Sequence, residues 1–197
     1  MRRKAGTLAL PCVAALALVA AATATATESR EQYAAQVDPI CEAANAQSSK
    51  VFKAYARMLK KTTRARNPKL KRFNGSLART LRRLDAIDAR LNSRLAGVAA
   101  APGDEALVAG WLALRRKLQA VNRRTTATTT RLLALITRGI PEGVGPHPGN
   151  KLKVLTKRLG RLTRELRRLS NLNNARVDEL RAPACALERG AVQVIVG

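Results

Sequence analysis

Apolar residues recur along this chain at alternating spacings of three and four, the mark of amphipathic helix, in four long stretches. In the first, Ile40, Ala44, Val51, Phe52, Tyr55, Met58 and Leu59 fall on one face. Asp38-Pro39 stands before them: a carboxylate that accepts free backbone N–H groups, then a proline that sacrifices none, makes a good helix start. The spacing predicts a helix over 38–61, with residues 28–37 as a helical lead-in kinked at the proline. The second stripe, Leu70, Phe73, Leu77, Leu81, Leu84, Leu91 and Leu95, predicts a helix over 69–96.

The third stripe runs through Leu107, Trp111, Leu114, Leu118, Val121, Thr125, Thr128, Leu132 and Leu135 and predicts a helix over 104–138. Asp104 and Glu105 place negative charge at its N-terminus, where the helix dipole favours it. The run from Thr125 to Thr130 has poor helix propensity and also fits a glycosylated linker, but the stripe passes through it unbroken and argues for helix. Residues 139–149 hold four glycines and three prolines and read as a surface loop. Asn150 then caps a helix over 150–181 whose inner face carries Leu152, Leu155, Leu159, Leu162, Leu166, Leu169, Asn173 and Leu180, with Pro183 as its stop. From about residue 186 an apolar tail follows, to which no element is assigned.

Four such helices with short connections bury their stripes most simply as an all-α, antiparallel, up-down-up-down four-helix bundle. A chain of 197 residues has one domain as its prior, and 46% hydrophobic content is too high for a disordered basic chain.

Residues 1–26 stand apart from the bundle at 27–197. Arg2, Arg3 and Lys4 precede an uncharged Leu-, Ala- and Val-rich run and then small residues, the layout of a secretory signal peptide. Cleavage is expected after residue 26, with 24 as the alternative site. An uncleaved anchor is the competing reading, but about 16 apolar residues broken by Pro11 fall short of the roughly 20 a bilayer needs. Cys12 lies too early, behind a poor lipobox, to carry a lipid. The expected location is therefore secreted or extracytoplasmic, in the cell envelope. Removing the leader lowers the formal charge from +24 to +21 and leaves two cysteines, Cys41 and Cys185. An even pair in an oxidising compartment reads as a disulfide, and no CxxC redox motif competes with that reading. In the bundle the start of the first helix and the end of the fourth lie at one end, so bridge and topology support each other.

Three elements carry a resemblance: Tyr33, Val37-Asp38-Pro39-Ile40-Cys41; the segment from Asp104-Glu105 to Trp111-Leu112; and Asn173-Asn174-Ala175 followed by Cys185. In these the chain resembles secreted actinobacterial helical-bundle proteins of unknown function. The resemblance implies secretion, the disulfide and the bundle, and no activity.

Catalytic chemistry finds little purchase. The single histidine, His147, stands in the Gly/Pro loop and reads as solvated, so no metal centre and no cofactor is expected. Neither a nucleophile beside a base nor a phosphate-binding glycine loop is present, and no enzyme is read here. One constellation is sharper. Asp88, Asn173 and Arg176 sit on stripes that apolar residues would fill, and Asn45, Asp88, Trp111, Asn173 and Arg176 all fall near the disulfide end. Asp88 is expected to pair with Arg176 or nearby amides, since a lone buried carboxylate is costly. Such a cluster fixes helix register or, alternatively, forms a small polar-ligand pocket.

The charge adds one more picture. Thirty-seven Lys and Arg face 13 Asp and Glu, and arginines such as Arg82, Arg83, Arg115, Arg116, Arg164 and Arg167 are read as outward-facing with no dominant stripe. Five aromatics are too few for base-stacking platforms, and nucleic acid is disfavoured for an exported chain. Anionic envelope polymers or lipid head groups, which need charge rather than geometry, are the expected partners.

Overall fold

The computed structural model describes residues 12–63, 70–137 and 147–187. Its elements are α1 (Cys12–Thr63), α2 (Leu70–Ala96), α3 (Glu105–Thr137) and α4 (His147–Glu179), followed by a 3-10 turn at Pro183–Cys185. They form a four-helix bundle. The segments at 64–69 and 138–146, most of the Gly/Pro loop, and the tail from 188 lie outside the described residues, as does the His147 side chain.

α2 and α3 keep the expected bounds to within a residue, and α1 does not. Rather than starting at Asp38 it runs unbroken from Cys12 through Pro39. Tyr33, Ala34 and Val37 are buried, so the core holds this stretch in helical register. The hydrogen bond that proline denies to the Ala35 carbonyl is lost where both residues are exposed and water can replace it. Asp38 is consequently no cap; its Oδ1 accepts from the Ala184 N–H at 3.0 Å. Residues 12–26, read as the end of the leader, belong to the same helix, while residues 1–11 lie outside the described ones. Among the described residues no helix is long and apolar enough to cross a membrane.

The threonine run of α3 is helical. Thr125, Thr128 and Thr130 donate their hydroxyls to the carbonyls of Val121, Arg124 and Thr126, which satisfies polar groups that a helix interior would otherwise strand. α4 ends before the proline. Arg181 takes a left-handed conformation, φ 55°, while the Ala182 N–H reaches the Val177 carbonyl and the Arg181 N–H that of Asp178. This is a Schellman cap with arginine where glycine is usual.

Cross-helix bonds set the neighbours. Asn74, Asp85 and Asn92 of α2 meet Leu133, Arg123 and Arg115 of α3 in that order, so α3 runs back along α2. Trp111 and Arg124 of α3 meet Asn173 and Glu165 of α4, which reverses again. α1 lies against α2, and among the described residues its backbone does not closely approach that of α4; the 3-10 turn touches both, and Cys41–Cys185 ties it to α1.

The core has two parts. At the disulfide end Val37 and Cys41, Leu91 and Leu95, Val108 and Trp111, Val177 and Leu180 draw all four helices into one cluster with Ala182 and Cys185. Further along, Leu118 and Val121 pack with Leu162, Leu166 and Leu169 of α4, flanked by Leu114 and Leu187. Each fully buried large side chain contributes about 2 kcal/mol, so the first cluster dominates the packing free energy.

Candidate functional site

Between these clusters the inward faces turn polar. On α2, Asp85, Asp88 and Asn92 recur at spacings of three and four; on α3, Arg115, Gln119 and Asn122 do the same in the opposite direction. They line a cavity of about 260 Å³ whose other walls are Asn45, Ser48 and Phe52 of α1 and Thr163, Leu166 and Ser170 of α4. α1 and α4, whose backbones do not closely approach each other among the described residues, both border it.

Arg115 is the central residue. It is only 6% exposed, its guanidinium lies 5.8 Å from the centre of the Trp111 ring, and its Nε donates to Asn92 Oδ1 at 2.9 Å. Its two terminal nitrogens have no hydrogen-bond partner among the described residues. Asp88 lines the same cavity from α2, half-buried, with no direct ion pair to Arg115. Burial pushes the Asp88 carboxyl above its ordinary pKa and the Asp85 charge adds to this, while the Arg115 charge and the Asn122 side chain pull it back. Burial likewise depresses Arg115, against the opposing pull of Asp88. Asp85 is neutralised separately, by Arg123 Nε at 2.8 Å.

The five expected cluster residues divide into three groups. Trp111 and Asn173, both fully buried, are joined by Trp111 Nε1 donating to Asn173 Oδ1 at 3.0 Å. Asn45 Nδ2 donates to the Ala184 carbonyl at 2.9 Å, and Asn174 brackets Leu187 by donating to its carbonyl and accepting from its N–H. With Asp38, these side chains fasten the turn that carries Cys185. Asp88 faces the cavity instead. Arg176 belongs to neither place: the buried stripe of α4 runs Asn173, Val177, Leu180, which leaves Arg176 exposed and paired with Glu179 at 2.6 Å. The expected Asp88–Arg176 pair is not made; the alternative, a nearby amide, is met by Asn122, and Arg115 is the cation whose charge acts on Asp88.

Arg115, expected on an outer face beside Arg116, is instead buried. The signal was in the spacing, since Trp111, Arg115, Leu118, Asn122 and Thr125 step by four, three, four and three. Leucine at 114 fits the same pattern, and hydrophobicity alone chose it.

The outer faces are basic. Along α4, Lys153, Lys157, Arg161, Arg164 and Arg168 step by four, four, three and four, all exposed and none with an ion partner among the described residues. Glu165 lies off that line and pairs with Arg124 of α3 at 3.0 Å. Lys50, Lys53 and Arg57 repeat the arrangement on α1. Among the described residues no three His, Cys, Asp or Glu side chains gather as a metal site would require.

Compared with known proteins, the chain matches no family model, no curated sequence and no solved structure.

Proposed function

We propose that this is an exported, envelope-associated basic bundle with no catalytic role, which attaches through its cationic faces to anionic polymers or lipid head groups of the cell surface. The α4 line of five exposed cations carries this reading. Like charges three and four apart on a helix repel one another by a few tenths of a kcal/mol per pair, a cost that a polyanion laid along the helix removes. At 1.5 Å per residue the line is about 23 Å long, enough for several successive anionic groups. Export is supported by the leader-like first 26 residues and by the disulfide, and mature protein starting near residue 27 would be its mass-spectrometric signature.

The test is binding of the purified protein to polyphosphate and to phosphatidylglycerol vesicles over a series of salt concentrations. Affinity is expected to fall linearly on a log–log plot as salt rises, and to fall uniformly when Lys153, Lys157, Arg161, Arg164 and Arg168 are replaced by glutamine. Salt-independent binding, or full binding by the five-fold variant, would refute it.

A further inference from the structure

We propose that the central cavity is a binding site for a small zwitterion, an amino acid with an apolar side chain, its carboxylate held by Arg115 and its ammonium group by Asp88. This is independent of the surface attachment proposed above. Arg115 and Asp88 carry opposite charges on adjoining walls of one cavity, Arg115 buried and Asp88 half-buried, yet they make no direct ion pair. A polar layer that served only to fix helix register would close on itself, because a buried charge without its own partner is costly. Here Asn92 takes the Arg115 Nε, and the two terminal nitrogens remain without a partner. That is the end-on fork which grips a carboxylate by two parallel hydrogen bonds.

A simple anion would satisfy Arg115 and be repelled by Asp88; a simple amine would do the reverse. A neutral polyol would use the amides and hydroxyls and leave the Arg115 charge without a counter-ion. Only a ligand bearing both signs meets the two walls together. The volume of about 260 Å³ sits at the small end of ligand pockets, the scale of one amino acid rather than of a peptide or nucleotide. Phe52, Leu118 and Leu166 supply an apolar part of the lining suited to an aliphatic or aromatic side chain.

Thermal melts and calorimetry of the full chain would be run with leucine, valine and phenylalanine. 4-Methylpentanoate and 3-methylbutylamine, leucine without its amine and without its carboxylate, serve as controls. At least one amino acid is expected to raise Tm saturably, by roughly 5 °C at one hundred times Kd, with each control at least tenfold weaker and the effect persisting at high salt. Asp88→Asn should abolish the preference for leucine over 4-methylpentanoate, and Arg115→Lys should weaken both by removing the fork. Equal binding of amino acid and acid by the unmodified protein would overturn the proposal, as would no saturable shift with any of the three amino acids. Both readouts need no variant to fold.

Discussion

The two ends of the bundle are built differently. At the disulfide end all four helices contribute to one cluster, the cross-link ties the last turn to α1, and five polar side chains, Asp38, Asn45, Trp111, Asn173 and Asn174, fasten what the cross-link leaves free. At the opposite end, α3 beyond Thr129 and α4 before Leu159 bury no side chain among the described residues. Ile136 and Val154 there are 52% and 63% exposed. Equal helix content therefore hides unequal stability, because helices of this kind are held by the faces they bury and not by propensity. The polar cavity lies between, where a firmly held frame borders a looser one.

The comparison breaks most directly at the disulfide. The bridge spans a sequence separation of 144, and the chain-entropy model assigns such a loop about 5 kcal/mol. Cys41→Ser with Cys185→Ser is expected to lose about that much in urea unfolding, and hydrogen exchange at Val37 and Leu180 should approach that of residues near Leu135. Next comes Trp111. Replacing it with alanine should cost about 4 kcal/mol, through the cavity left and the stranded Asn173 amide, whereas Val154→Ala at the far end should stay within about 0.5 kcal/mol. Equal losses would show that the ends are equally well packed.

A pH series sharpens the contrast between frame and cavity. Arg30 grips Asp104 through two bonds of 2.7 Å and holds its carboxyl below the ordinary pKa. That contribution is present above the ordinary value and lost as pH falls through the lowered one. Arg30→Gln should cost about 2 kcal/mol at neutral pH, the pair being partly exposed, and should flatten the acid limb. Asp88 has the opposite sign. Its folded pKa is raised, so stability declines as pH climbs from the ordinary value through the raised one, and Asp88→Asn should remove that decline from a melting series.

The smallest effect expected is a gain. Tyr33 is buried in the disulfide-end cluster with no hydrogen-bond partner for its hydroxyl among the described residues, and burial pushes its pKa up to about 12. Tyr33→Phe should stabilise the fold by up to about 1 kcal/mol, readable as a raised urea midpoint. A loss would reveal a partner for the hydroxyl.

Much of this was legible along the chain. The stripes located four helices, and two of them had nearly correct ends, because burial imposes its period directly on sequence. The start of α1 was misread because Asp38-Pro39 satisfies the local rules for a cap. Those rules yielded to the burial of Tyr33 and Val37, which lie before it and carry the helix through. Asp88, Asn173 and Arg176 were recognisable as polar residues on apolar stripes; Asn173 is fully buried, Asp88 half-buried and Arg176 exposed. Their division was not legible. Whether an inward asparagine fastens a turn, as Asn173 does, or lines a cavity, as Asn92 does, depends on which helix stands opposite.

Periodicity, composition and count were enough for the four helices, most of their apolar stripes and the pairing of Cys41 with Cys185. Only the tertiary structure decided that Arg115 is buried at the cavity that Asp88 also lines, and that Arg176 faces water. Those facts depend on the rotation and offset of whole helices against one another. A helix rolled through one residue's turn, 100°, exchanges a buried arginine for a solvated one with the same spacing on either face.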